Sequence, residues 1–474
     1  MFSVIAIASL RNVSIIACYG MVSMLFYALA ALLFFIPCSL VCARFSSLLP
    51  SGGIYSWTKS AFGPKVACMA VWLQWMQTLL WYPSILTFIA VTLGRSLAPS
   101  LLNTPWYMVL MILLPFWGCT WMNLKGIQYT AMVNRISVIL GLILPTLFLS
   151  WMALDSILQG LQDHPQGCSE SISHSPSLSL WDWNTWTALL GVMVSFAGME
   201  LSEVHDRDVE NPKKTFPRSI FISACIILVI YVTATYALIS VLPSVGIVSG
   251  IVDAFELSLC QVGHEWAFPL TGILLSIGAL GGLATWIIGP SKGLLLATQD
   301  AHQDGDQPSK QKGLFPVAFA TTNQQGVPSY LLFLQGGIVS VISLLFFLIP
   351  SVEGAFWILN VLLGQFYLIL YMLMFAAALR LRIGTQISAT IGICSTFFSF
   401  AFAFIPPPIS FVPPPHFFFE QGFAYSLSIA LGSFLGCIAP WTFPRISRWG
   451  QHWNSPSTQK KTPPQQKKKI GCNS

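Results

Sequence analysis

The stretch "SFAGMELSEVHDRDVENPKKTFPRS", residues 195–219, decides the fold. It ends an apolar run that begins at Trp186 and reaches the acid Glu200 after only 14 residues. A helix of that length covers about 21 Å, whereas the hydrocarbon core of a membrane is about 30 Å thick. The run therefore either extends through Glu200 or is partly unwound. The small residues around Phe196 favour an unwound stretch, which at membrane depth must line a protein cavity.

The composition indicates that this short run belongs to a polytopic membrane protein. Only 8% of the 474 residues are charged and 55% are hydrophobic, whereas soluble proteins carry about 25% charged residues. We predict an all-α protein with twelve transmembrane helices, because each span needs about 20 apolar residues. The predicted spans are 2–20, 22–43, 66–93, 105–123, 137–154, 185–203, 219–241, 266–291, 329–348, 354–379, 386–405 and 422–440.

The basic residues predict the orientation of these spans. Of the 23 Lys and Arg residues, Arg11 lies in the first span and only Arg95 lies in one set of alternate loops. All the others lie in the opposite set, which the positive-inside rule places in the cytosol together with both termini. The net charge of +6 therefore reflects topology, and we expect an inner-membrane protein with no nucleic-acid partner.

The chain divides into a transmembrane domain, residues 1–440, and a tail, residues 441–474. The tail is basic and rich in Pro and Gln, so we expect it to be disordered in the cytosol and close to anionic lipid. A regulatory plug is the alternative interpretation of the tail.

The first span contains an interruption of its own. "IAIASLRNVSIIACYG", residues 5–20, places Ser9, Arg11, Asn12 and Ser14 inside an apolar run. Charged residues at membrane depth usually face the bundle interior and serve function. Interruptions in spans one and six are typical of a five-plus-five inverted repeat with a substrate site at the midplane. The alternative is that the chain's true start lies upstream and the first span is misassigned.

Three motifs resemble the amino acid–polyamine–organocation permeases. They are "PSGGIYSWTKSAFGP" (50–64), "SFAGMELSEVHDRDVENPKKTFPRSI" (195–220), and "WIIGPSKGLLLATQD" (286–300) followed by "GLFPVAFATTNQQGVP" (313–328). The resemblance covers roughly residues 1–440 and is closest to the bacterial glutamate/γ-aminobutyrate antiporters. It implies a leucine-transporter-like fold, alternating access, and amino acid exchange or proton-coupled uptake. In this chain "SLRN" replaces the Gly-rich break of span one, and "AHQDGDQPSKQK" is an insertion after span eight.

By matching positions, the resemblance assigns a substrate site to the two breaks. We expect the freed backbone there to bind the α-carboxylate and the α-amine. The predicted substrate-binding residues are Ser9, Leu10, Arg11 and Asn12 in span one, and Ser195, Phe196, Ala197 and Gly198 in span six. Phe196 is either an aromatic lid or a core residue. Arg11 is expected to attract an acidic side chain or to neutralise Glu200.

Glu200 takes the place of the span-six acid that members of the superfamily use in proton coupling or in the gate. In the alternative interpretation it merely begins the cytosolic interface and pairs with Arg207.

The sequence favours transport over other functions. The seven His residues are dispersed, and no nucleotide-binding Gly-rich loop occurs, so we expect no cofactor and no enzyme activity. The expected partners are amino acids and membrane lipid, and a homo-oligomer is compatible with the sequence. The alternatives are a transporter-like sensor or scaffold, or an exchanger of polyamines and basic amino acids.

Overall fold

Every regular element in the described part of the chain is a helix, which confirms the predicted all-α fold. The computed structural model describes residues 9–49, 53–160, 183–200, 212–242, 245–303, 315–344, 352–406 and 422–453. The helices are α1 (Arg11–Ala17), α2 (Val22–Leu48), α3 (Gly53–Phe62), α4 (Pro64–Leu97), α5 (Pro105–Leu124), α6 (Ile127–Ile136), α7 (Leu144–Gly160), α8 (Thr187–Ser195), α9 (Pro212–Val241), α10 (Gly250–Gln261), α11 (Phe268–Gln303), α12 (Ser329–Ser343), α13 (Val352–Leu381), α14 (Gln386–Phe402) and α15 (Gly422–Trp453).

Seven helical segments among the described residues are long and apolar enough to cross a membrane. They are Val22–Leu48, Pro64–Leu97, Pro105–Leu124, Met132–Asp155, Arg218–Val241, Glu265–Asp300 and Gly354–Leu381. Three shorter apolar helical segments accompany them, Ser329–Ser343, Gln386–Phe402 and Tyr425–Trp441. The count of twelve spans and the inverted repeat remain predictions.

The centre of the bundle is the long helix α4, which packs against α11 and α13. Its sequence is apolar on all sides, as expected of a helix surrounded by other helices. Buried polar side chains interrupt this pattern, and Gln74, Gln77 and Ser84 are among them. Since buried polar groups need hydrogen-bond partners, these residues mark the face of α4 that meets the functional site.

A π-helical turn, Ala31–Phe35, interrupts α2 next to the same site. Such turns insert an extra residue into an α-helix and are frequent at functional sites. The turn presents two aromatic rings to the bundle interior: Phe34 packs edge-on against Tyr371, with ring centroids 5.0 Å apart, and Phe35 stacks on Phe196 at 4.4 Å.

Candidate functional site between two interrupted helices

Helix α8 ends at Ser195, where the sequence predicts an unwound stretch. Ala197 and Gly198 have no helical structure, and Gly198 has a φ of 116°. This left-handed backbone region favours glycine because a Cβ atom would clash there. The Gly198 amide leaves the helical ladder and donates a hydrogen bond to the Tyr371 hydroxyl at 2.8 Å. A side chain of α13 thus satisfies the backbone group that the interruption frees.

Helix α1 begins at Arg11, and residues 1–8 lie outside the described part of the chain. Of the four residues predicted as the first interruption, Ser9 and Leu10 precede the helix, whereas Arg11 and Asn12 form its first turn. The non-helical backbone in the described part of this segment is therefore shorter than the four residues predicted. The side chains of Arg11 and Asn12 are both buried.

The hydroxyl of Tyr231, on α9, joins the two interruptions. It accepts a hydrogen bond from the Ser9 amide at 3.1 Å and donates one to the Ser195 carbonyl, also at 3.1 Å. Tyr231 is fully buried and stacks on Tyr27, with ring centroids 6.1 Å apart. One side chain thus pairs backbone groups that are 186 positions apart in the sequence, since Ser9 and Ser195 belong to different spans.

Glu200 is buried, with 1% of its surface exposed. The hydroxyls of Tyr367 and Tyr371 donate to its two carboxylate oxygens at 2.6 Å each, and Gln74 Nε2 donates at 3.3 Å. No Lys or Arg of the described residues forms an ion pair with Glu200. The alternative partner, Arg207, lies outside the described residues.

Arg11 is as deeply buried as Glu200, but the two do not form an ion pair. Its Nη1 group donates to Ser84 Oγ and, at 3.0 Å, to Asn360 Oδ1. The guanidinium carbon lies 6.0 Å from the ring centroid of Trp81 and 5.6 Å from that of Phe356. This arrangement differs from the expected neutralisation of Glu200 by Arg11, because neutral groups hold each charge separately.

The two interruptions share the lining of one cavity of about 20 Å³. This volume suits about one water molecule, so the site is closed in this conformation. Five of the predicted residues line the cavity, and so do residues of α4, α11 and α13. They are Ser9, Arg11, Asn12, Ser195 and Ala197, with Gln77, Trp81, Trp286 and Tyr367 among the others. Leu10 lines a neighbouring cavity of about 30 Å³ together with Arg11.

Phe196 is not part of the lining of this cavity in the present conformation. Its side chain is fully buried and packs against Phe35, Tyr27 and Tyr231. This position matches core packing, the alternative to an aromatic lid.

Sequence reasoning missed the residues that other spans contribute to the site. They are Gln74, Ser84, Tyr231, Asn360, Tyr367 and Tyr371. Their one signal is a polar group inside an apolar run, as in "LQWMQTLL" and "GQFYLILYM". That signal marks an inward-facing side chain but does not identify its partner.

The arrangement provides complementary chemistry around one cavity. Arg11 supplies a buried positive charge, and its Nε has no hydrogen-bond partner among the described residues. Glu200 supplies a carboxylate, and Tyr367 both lines the cavity and contacts Glu200. The cavity is thus lined by a buried cation and is connected through Tyr367 to a buried acid. Among the described residues, no group of three His, Cys, Asp or Glu side chains is placed to hold a metal ion.

We expect Tyr231→Phe to lower the thermal stability of the detergent-purified protein. The substitution leaves the Ser9 amide and the Ser195 carbonyl without their shared partner, at a cost of about 1–3 kcal/mol for each buried polar group. The matched control is Tyr27→Phe, which removes a hydroxyl bonded to Thr235 Oγ1 at 3.0 Å. Thr235 lies within α9 and can turn its hydroxyl to a backbone carbonyl one turn earlier. Equal melting temperatures for the two variants would contradict the bridging role of Tyr231.

Comparison with known proteins identifies the family of this chain. The profile of the amino acid permease family matches residues 1–435. An uncharacterised transporter of Legionella pneumophila subsp. pneumophila is 35% identical over 386 residues, which cover 81% of this chain and 79% of the relative. A glutamate/gamma-aminobutyrate antiporter of Lactococcus lactis subsp. lactis is 25% identical over 406 residues, covering 81% and 78%. The chain therefore belongs to the amino acid permease family and is an integral membrane amino acid transporter.

Proposed function

We propose that this protein is a secondary active transporter that moves amino acids by alternating access, with the cavity between the two interruptions as its substrate site. The main support for this proposal is that the Tyr231 hydroxyl forms hydrogen bonds with both interruptions, at the Ser9 amide and at the Ser195 carbonyl. Non-helical backbone at membrane depth is tolerated where it lines a cavity, and transporters place substrate sites at such points. The small volume of the cavity corresponds to a closed state that must open to admit substrate.

The proposed architecture is twelve spans in a leucine-transporter-like five-plus-five repeat, with spans one and six broken. In support, α1 and α8 are both short, with 7 and 9 residues, and they pack against each other. Helix α1 begins, and helix α8 ends, next to a backbone group that is hydrogen-bonded to the Tyr231 hydroxyl.

Backbone groups of Ser9–Asn12 and Ser195–Gly198 are proposed to receive the α-carboxylate and α-amine of the substrate. Arg11 is proposed to attract an acidic side chain, which favours neutral or acidic amino acids over polyamines and basic amino acids. The buried charge supports this preference, because a cationic side chain would be repelled in a medium of low dielectric constant. The relatives from Lactococcus lactis carry the name glutamate/gamma-aminobutyrate antiporter, which agrees with this substrate class.

Glu200 is proposed to couple transport to protons or to act in the gate. Among the described residues, hydroxyl and amide groups hold this buried carboxylate, and no Lys or Arg forms an ion pair with it. Through Tyr371, Glu200 is connected to the Gly198 amide, and through Tyr367 it is connected to the cavity. Loss or gain of a proton at Glu200 would therefore act on the same backbone that binds the substrate.

The proposed location is the bacterial inner membrane, with both termini in the cytosol. The distribution of Lys and Arg supports this orientation. Apolar side chains such as Leu114 and Leu435 are 67% and 63% exposed, as expected where a helix surface contacts lipid. The boundary at residue 440, the basic tail and a homo-oligomer remain predictions.

A counterflow assay tests the proposed function. Proteoliposomes that contain the full-length protein are loaded with one unlabelled amino acid and supplied with a labelled one outside. We expect labelled glutamate or a neutral amino acid to accumulate faster than in protein-free liposomes. Counterflow of polyamines or lysine alone would favour the basic exchanger. An absence of counterflow with any of these solutes, combined with capture of a cytosolic partner by the tail, would favour the sensor or scaffold.

We expect Glu200→Gln to change the pH dependence of exchange more than the affinity for substrate. The glutamine side chain keeps the shape of the glutamate but cannot take up a proton at this position. The exchange rate is measured over a range of external pH, and substrate affinity is measured at one pH. Glu265→Gln is the matched control, because Glu265 is an exposed acid outside the site. A pH profile identical to that of the wild type would refute the role of Glu200.

A further inference from the structure

The buried guanidinium of Arg11 is held entirely by neutral groups in the described part of the chain. Ser84 and Asn360 accept from the same nitrogen, Nη1, while the rings of Trp81 and Phe356 lie near the guanidinium. An isolated buried charge is costly unless it is paired. The arrangement therefore fixes the position of Arg11 without cancelling its charge.

Asn360 is locked in the orientation that presents oxygen to Arg11. Its Nδ2 donates to the Phe356 carbonyl at 2.6 Å and to Ser84 Oγ at 2.8 Å. Because both bonds use the amide nitrogen, the Oδ1 atom is left to accept from Arg11 at 3.0 Å. Asn360 also lines a cavity of about 30 Å³ together with Asn12 and Ser195, one residue from each interruption.

The described carboxylate of the site, that of Glu200, is hydrogen-bonded to groups other than Arg11. Glu200 accepts from Tyr367, Tyr371 and Gln74. The described ion pairs of the protein are formed by Lys59 and Arg95, away from this cavity. No internal anion among the described residues therefore competes for Arg11.

We propose that Asn360 is a specificity-determining residue, which positions Arg11 while leaving its charge free for the acidic side chain of a substrate. This inference rests on the proposed function. An aspartate at position 360 would have nearly the same shape, but would bind Arg11 through a charge-assisted hydrogen bond. The acid group of a substrate would then meet a neutral pair instead of a free cation.

The test compares glutamate with glutamine, two substrates of nearly equal shape that differ in charge. Exchange of each is measured in proteoliposomes that contain the wild type or the Asn360→Asp variant. We expect the wild type to prefer glutamate. In the variant the ratio of transport efficiencies, glutamate over glutamine, should fall roughly tenfold or more, because hydrogen bonds to charged groups are among the stronger ones. Glutamine exchange itself should persist.

Two controls separate charge from shape. Ser84→Ala removes the other neutral acceptor of Arg11 without adding charge, so it should lower the transport efficiency of both substrates. The ratio of the two efficiencies should stay within about threefold of the wild-type ratio, the scale of one neutral hydrogen bond. Arg11→Gln alone should already abolish the preference for glutamate over glutamine, because no positive charge remains for Asn360→Asp to neutralise. If Asn360→Asp fails to fold, Ser84→Asp places a carboxylate at the other acceptor of Arg11 Nη1, and the same fall in the ratio is expected.

The outcomes distinguish this inference from the proposed function. A wild-type protein that exchanges no amino acid would contradict the proposed function itself. A wild type that exchanges amino acids without preferring glutamate, or an Asn360→Asp variant that folds and keeps the wild-type ratio, would overturn the role of Asn360 alone.

Discussion

The rest of the site depends on one constraint, which is that backbone groups freed within a membrane protein must find partners inside the protein. At the two interruptions tyrosine hydroxyls provide these partners. Tyr231 pairs the Ser9 amide with the Ser195 carbonyl, and Tyr371 accepts from the Gly198 amide. Because each hydroxyl belongs to a different, continuous helix, the interruptions are held at a fixed position in the bundle. A tyrosine hydroxyl can also exchange its partner for a substrate group without breaking a helix, which suits a site that opens and closes.

The two buried charges of the site follow a related logic. Arg11 and Glu200 do not neutralise each other, and each is held by hydroxyl and amide groups. Breaking a buried ion pair is costly, so a direct pair would leave neither group available. In the proposed mechanism, separate neutral partners keep the cation available to an anionic substrate and keep the carboxylate available to a proton. Tyr367 is common to both regions, since it lines the cavity beside Arg11 and donates to Glu200.

The sequence predicts the all-helical fold and the end of helix α8 because both depend on local patterns. Length, hydropathy and small residues indicate where a span is interrupted, as they do at Ser195–Gly198. The same patterns overestimate the first interruption, where Arg11 and Asn12 are helical. They also suggest a pairing of Arg11 with Glu200 that the described residues do not form. Residues such as Tyr231 and Asn360 escaped prediction because their partners lie in spans far away along the chain. Local patterns in a single sequence do not reveal which inward-facing groups contact each other.

The central claim, that the substrate binds between the two interruptions, is tested most directly by a structure of the protein with glutamate bound. We expect glutamate density in the cavity that Ser9, Arg11, Ser195 and Ala197 line, with its side-chain carboxylate at the Arg11 guanidinium. The cavity should be enlarged relative to its present volume of about 20 Å³. Density at another place in the bundle, with this cavity and the hydrogen bonds of Arg11 unchanged, would contradict the claim.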